Sequence, residues 1–375
     1  MYFSNVSFDE FAIVLNLMSG DERHFLKAKM TYFPHTMILI VYSPLPVHDQ
    51  MTSEISSVIS SALHSLLFTR SLLMVNVIPS HIYSEDIFTI PDMQITLTPT
   101  TSEVAETKVL WYTETVFSQS KRMALKKIEK VLLTHRKILF ILFILISKQT
   151  HYEAPTEDSL AYNEALADKS LCPYTFFSPH RDANKLFGPV KAMDHDWINV
   201  SKVKYFVWLK EDNKDININN PHMAYGTLFL VLDMGQISIA LNQGMDMVKS
   251  VMRTKLDVLQ PAVNHTNLLT PSAIVFDWDT DITFMSVAVY KTAHFRYCDW
   301  YHRNFNGTKH HRMNNGGDEP KAERPSNRRV IMSSSSEGTS SSGDVDSSEG
   351  TTSSGDVDSA EGSSSSEGSG SSAVE

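Results

Sequence analysis

Apolar residues along this chain follow two spacings: continuous runs that suit buried strands, and stripes at every third or fourth position that suit one face of a helix. Ser7 and Glu10 match the S-x-x-E capping box just ahead of Phe11–Leu15, which predicts a first helix closed at Gly20. Thr36–Ser43 (TMILIVYS) then reads as a buried strand stopped by Pro44 and Pro46. Residues 51–70 place Ile55, Val58, Ile59, Leu63, Leu66 and Leu67 at helical spacing, and SLLMVNVIP after them reads as a strand. Strand, helix and strand in that order predict a β-α-β unit with parallel pairing and a right-handed crossover. Its SPLPVHDQ connection holds no Gly-rich phosphate cradle, so dinucleotide binding is not expected and no cofactor is assigned.

Residues 82–115 read as extended, and SKRMALKKIEKVLLTHRK as a basic amphipathic helix with a solvated face. ILFILFILI, residues 138–146, reads as a buried strand or core helix, its nine apolar residues being too few to cross about 30 Å of hydrocarbon as a helix. From residue 151 the texture changes. HYEAPTEDSLAYNEALADK is polar and marks a boundary. Beyond it KVKYFVWLKE, AYGTLFLVLD, QISIALN, SAIVFDW and ITFMSVAVYK read as strands and QGMDMVKSVMRTKLDVLQ as one helix, while Gly235 in LVLDMGQISIAL signals a hairpin. The expected fold class is α+β overall. It comprises an N-terminal α/β unit over 1–150, a linker over 151–170, and a mainly antiparallel, β-rich α+β domain over 171–305. A polar linker over 306–332 and a disordered, acidic, Ser-rich tail over 333–375 complete the chain.

The tail changes how charge and composition are read. SEGTSSSGDVDS from Ser336 to Ser347 repeats as SEGTTSSGDVDS from Ser348 to Ser359, with one aliphatic residue per repeat. Such a chain cannot offset a backbone ordering cost of about 1 to 2 kcal/mol per residue. It holds nine acidic residues and no Lys or Arg, so the formal charge of -10 falls to -1 for the rest. The body therefore carries no net field favouring nucleic acid, and a general nucleic-acid binder is not expected. Ser334, Ser341, Ser353 and Ser364 each have an acidic residue three positions on, which suits acidophilic kinases and makes them candidate phosphorylation sites.

The chemical candidates are few. AIVFDWDTDIT places Asp277, Asp279 and Asp281 after an apolar run and resembles the first motif of the haloacid-dehalogenase-type phosphohydrolases. That resemblance implies an aspartate nucleophile at Asp277, with Asp279 and Mg²⁺ assisting. Asp281 stands where those enzymes carry Thr or Val, and a D-T-D hairpin turn accounts for the same residues without chemistry. His294, His302, His310 and His311 cluster with Cys298, but without the paired spacing of zinc ligands, so no metal site is assigned. No catalytic residue is assigned either. Aromatics Phe295, Tyr297, Trp300, Tyr301 and Phe305 read as the edge of a core.

The N-terminal twenty residues carry acidic groups where a secretory signal needs a basic start and an apolar core, which favours a cytoplasmic or nuclear location. The leading expectation is a non-enzymatic interaction protein with a phosphorylatable tail and a protein partner. A second is a secreted or membrane-exposed glycoprotein starting at Met123 or upstream. Its candidate sequons are Asn5, Asn199, Asn264 and Asn306, and its one candidate disulfide joins Cys172 to Cys298. A third is the metal-dependent hydrolase centred on Asp277 and Asp279.

Overall fold

Capping and proline chemistry set the first helices. β1 (Tyr2–Phe3) leads into α1 (Phe8–Ser19), where the Glu10 N–H donates to Ser7 Oγ at 3.3 Å and the Ser7 N–H donates to Glu10 Oε2 at 2.9 Å. This is the reciprocal box that the sequence predicts. The structure, a computed structural model, describes residues 1–19, 28–100, 106–117, 119–168, 170–177, 187–229 and 231–305, and Gly20 lies outside them. β2 (Lys29–Phe33) and β3 (Ile38–Tyr42) form a hairpin, and α2 then runs Pro46–Ser65 rather than over 51–70. Pro46 opens α2 because its missing N–H is harmless in the first turn, and Arg70 closes it by donating to the carbonyls of Leu63 and His64 at 3.2 and 3.0 Å.

The chain continues through β4 (Leu73–Ile78), β5 (Ile82–Tyr83), β6 (Phe88–Thr89), β7 (Met93–Pro99), β8 (Lys108–Val116), α3 (Lys121–Thr134) and β9 (Phe140–Lys148). Next come α4 (Leu160–Asp168), α5 (Tyr174–Phe177), β10 (Val190–Ala192), β11 (His195–Ile198), β12 (Val200–Leu209) and β13 (Ala224–Phe229). Two long helices, α6 (Gly235–Leu259) and α7 (Trp278–Asn304), close the described chain. The molecule is α+β with mostly antiparallel sheets.

A five-stranded sheet is ordered β1-β3-β2-β6-β5, a six-stranded sheet β13-β12-β9-β8-β7-β4, and β10 pairs with β11. β3 and β4, which the sequence joins as parallel partners across α2, fall in different sheets, and β4 pairs antiparallel with β7. The cause is α2, which sets Val47, Met51, Ile55, Ile59 and Leu63 into the core of the larger sheet and leaves the strand before it on the smaller one. A parallel pair joined by a helix does occur one step later, β8 and β9 across α3. Residues 151–170 lie between strands of one sheet, since β12 beyond them pairs antiparallel with β9 before them.

Three strand readings in the second half are corrected. QISIALN belongs to α6, whose buried Ile237, Leu241, Met245, Val248, Met252 and Leu256 keep a helical period over 25 residues. The local alternation of Ile237, Ile239 and Leu241 loses to that longer period, and Ile239 is left 61% exposed. Gly235 therefore begins a helix rather than turning a hairpin. SAIVFDW has no regular structure through Asp277, and ITFMSVAVYK lies inside α7, because the Asp277 carboxylate caps that helix by accepting from the Thr280 N–H at 3.0 Å. The D-T-D segment, Asp279 to Asp281, lies in the first turn behind the Asp277 cap, not in a hairpin.

Burial explains the layering. One face of the six-stranded sheet carries α2, α6 and α7 around Trp111, Phe140, Ile144 and Tyr205. The other carries α3 and the inner face of the small sheet around Tyr112, Ile128, Ile141 and Phe143. α1 covers the small sheet's far side, with Phe11 stacked on Tyr32 at 4.4 Å. Gly244 lets α6 lie against the sheet, since a Cβ there would meet the Phe140 ring at 2.7 Å.

Candidate functional site

The densest chemistry in the fold lies between the two sheets, and a bulge in β8 aims it. Ile95 of β7 faces Trp111 while Thr96 faces Val109, so Leu110 is the extra residue and shifts the strand's alternation. Beyond the bulge Trp111, Thr113 and Thr115 share one face, where Trp111 Nε1 donates to Thr113 Oγ1 at 2.8 Å and Thr115 meets Thr52 of α2 at 2.9 Å. Tyr112 and Glu114 share the other, the Tyr112 hydroxyl donating to Glu114 at 3.1 Å.

Glu114 has no exposed surface, yet its charge is met. Lys127 stands on the buried stripe of α3 with Ala124, Ile128 and Val131, and its Nζ reaches both Glu114 oxygens at 2.7 and 2.8 Å. The same ammonium donates to the Tyr42 hydroxyl at 3.2 Å, and Gln119 Nε2 donates to Glu114 at 3.0 Å. Asp92, just before β7, accepts from Lys29 Nζ and from the Thr115 N–H, and lies 3.4 Å from His48 Nε2. The other ring nitrogen of His48 lies 3.1 Å from Asp49 Oδ1. Three cationic groups, Lys29, His48 and Lys127, thus face three carboxylates, Asp49, Asp92 and Glu114.

Burial by itself would lower the His48 pKa, but the Asp92 charge and hydrogen bonds to Asp49 and Asp92 outweigh it and raise it to about 9. Burial would raise Asp92, and His48, Lys29 and Lys127 together hold it below the carboxylate range instead. Burial first and the Glu114 charge second push the Tyr42 and Tyr112 phenols well above the ordinary value. At neutral pH this is a closed set of ion pairs with protonated phenols. It orients, and it holds the two sheets in register.

A contrasting group sits where α2 meets α7. Asp281 is 9% exposed, and burial, followed by the charges of Glu54 and Asp277, raises its pKa to about 7. No cation pairs with it among the described residues.

The residues singled out from sequence fall in separate places. Asp277 caps α7, Asp279 and Asp281 occupy its first turn, and no strand precedes them. Among the described residues no group of three or more His, Cys, Asp or Glu is placed to hold a metal ion. Asn5 and Asn264 are exposed and Asn199 is half-buried, while Asn306, His310, His311 and the four tail serines lie outside the described residues. Cys172 and Cys298 are free, half-buried thiols, and His294 lies against the Cys298 sulfur and the Cys172 carbonyl. Tyr297, Trp300 and Tyr301 are buried, as a core edge requires, whereas Phe295 is 45% exposed.

Two surface grooves flank the helix layer. One of about 640 Å³ lies between α2 and α6, with Ser57, Ser61 and Ser65 along one wall. The other, of about 610 Å³, lies between α6 and the connection from β12 to β13, and Asn217, Asn220, Gln236, Ile239 and Gln243 line it. Trp208 also lines it, and its buried indole N–H has no partner among the described residues. Sequence reasoning missed the junction network and both grooves. The network's signal was there as a glutamate inside the strand VLWYTETVF and a lysine inside the apolar stripe of α3. No helix among the described residues is long and apolar enough to cross a membrane. Comparison with protein-family models, with curated proteins and with solved structures finds no match to this chain.

Proposed function

We propose that this chain is a non-enzymatic binding protein whose folded body takes a protein partner and whose acidic tail is phosphorylated at Ser334, Ser341, Ser353 or Ser364. The observation that carries the reading is the groove between α6 and the β12–β13 connection. Its wall combines amide side chains with the exposed Ile239. Its charged residues are engaged locally, Glu211 with Lys214 at 2.7 Å and Asp215 with Arg136 and Lys210. A neutral surface offering hydrogen bonds around an apolar centre suits a polypeptide surface, where a few well-placed groups supply most of the binding energy. The buried ion pairs between the sheets support the same reading, because each of their charges already has a protein partner.

The test uses three baits: the full-length chain, a version ending at Val330, and full-length Ile239→Glu. A partner kept by the shortened chain and lost from Ile239→Glu supports the reading. A partner set that Ile239→Glu leaves unchanged overturns the groove's part in it. Phosphopeptide mapping of the native protein tests the tail separately, and unmodified serines at all four positions would remove its regulatory half.

A further inference from the structure

Residues 152–168 and 170–177 lie along α7 as a strap, held by side chains at successive turns of that helix. Arg296 sits 4.3 Å above the Tyr152 ring, Trp300 Nε1 donates to the Pro155 carbonyl at 3.1 Å, and Tyr162 packs on Trp300 and Phe305. Near the strap's other end Phe177 packs on His294 and Tyr297. Between these contacts the Cys172 N–H donates to the Tyr297 hydroxyl at 3.1 Å, and His294 Nε2 lies 3.2 Å from the Cys172 carbonyl. The same imidazole nitrogen lies 3.5 Å from Cys298 Sγ, one turn further along α7. Cys172 and Cys298, distant in sequence, thus meet at one histidine ring, Cys172 through its backbone carbonyl and Cys298 through its sulfur, and both thiols are free.

We propose that Cys172 and Cys298 form a reversible intramolecular disulfide that locks the strap onto α7, the structure showing the reduced pair. The oxidant is a small-molecule disulfide. One thiolate attacks it, releases one equivalent of thiol and forms a mixed disulfide. The second thiolate then displaces the other thiol, so that two protein thiols become one S–S bond and one small-molecule disulfide becomes two thiols. The two cysteine protons pass to solvent as each thiolate forms and are returned to the released thiolates. Burial first and the neighbouring Cys172 charge second raise the Cys298 thiol, so little of it is thiolate at neutral pH and exchange accelerates as pH rises. The lock is independent of the groove reading, since no cysteine lines that groove.

The experiment incubates the reduced full-length chain with excess oxidised glutathione at pH 7 and pH 8.5, quenches with an alkylating agent and maps the peptides. The expected result is a Cys172–Cys298 linked peptide in monomeric protein, formed several-fold faster at pH 8.5. Hydrogen exchange across residues 152–177 should then slow, and neither Cys172→Ser nor Cys298→Ser should show that slowing. Both variants are read by thermal melt under reducing conditions, and either one that melts with the parent suffices as the control. Two alkylated thiols, glutathione retained on either cysteine, a disulfide between chains, or a link that appears only in denaturant would each overturn the proposal. A link that forms without slowing exchange in the strap would overturn the lock.

Discussion

Asp92 and Asp281 are both aspartates buried against α2, and burial pushes both towards the neutral form, yet they end on opposite sides of the ordinary value. What separates them is the neighbour. Asp92 faces Lys29, His48 and, further off, Lys127, and is held ionised. Asp281 faces Glu54 and Asp277 and is held protonated up to about pH 7. Depth of burial sets the scale of an electrostatic effect, and the sign of the nearest charge decides its direction. The first site is accordingly a fixed support between the sheets, and the second a group that changes charge within the ordinary pH range.

The sharpest way to break this comparison is to remove one partner from the paired site. Lys127→Met leaves Glu114 charged, fully buried and answered only by Tyr112 and Gln119. Loss of one partner of a buried pair costs about 3 to 5 kcal/mol, and chemical denaturation should show a loss of that size. The double variant Glu114→Gln with Lys127→Met should recover more than half of it, because the uncompensated charge is then gone. A loss below about 1 kcal/mol in the single variant would mean that water reaches Glu114, and the site would have to be treated as exposed.

A smaller effect is expected at Asp92, about 2 to 3 kcal/mol for Asp92→Asn, because the amide keeps the volume and part of the hydrogen bonding. Its value lies in the titration of His48. The folded-state His48 pKa of about 9 exceeds its unfolded value, so its contribution is complete below about pH 6.5 and is lost as pH rises through 9. Without the Asp92 charge, burial becomes the dominant influence and the His48 pKa should fall by more than one unit, a shift read by NMR of the imidazole. An unchanged titration would assign the shift to Asp49 instead.

How far the sequence revealed these sites follows from what each depends on. The capping box at Ser7 and Glu10, the α3 stripe and the buried run of β9 depend on neighbours within a few residues, and all are readable from spacing. The partner of β4 and the helical state of QISIALN and ITFMSVAVYK depend on what packs across from them, and local alternation of β-branched residues misled there. The junction network draws on β2, α2, the start of β7, β8 and α3, so no window of the sequence contains it. Asp281 stood out as part of a D-T-D turn, but its actual property comes from Glu54 on another helix.

The smallest expected effect isolates that property. Asp281 titrates in the fold near 7 and near 3.9 when unfolded, so between those values the folded state holds the extra proton. The favourable contribution of the protonated form is complete below about pH 4 and disappears as pH climbs to 7, so the group makes the fold less stable at pH 8 than at pH 4. Asp281→Asn removes the titrating proton and keeps the shape. Allowing for the solvent that reaches this group, it should stabilise the protein by about 1 kcal/mol at pH 8 and leave it unchanged at pH 4. Between pH 4 and 6.5 the loss of stability in the parent should flatten in the variant, while the fall above pH 6.5 that belongs to His48 should persist in both. Paired denaturation curves at pH 4, 6 and 8 read this directly. Equal destabilisation by Asp281→Asn at all three values would show that the carboxyl acts through a hydrogen bond in either protonation state, and the contrast with Asp92 would fail.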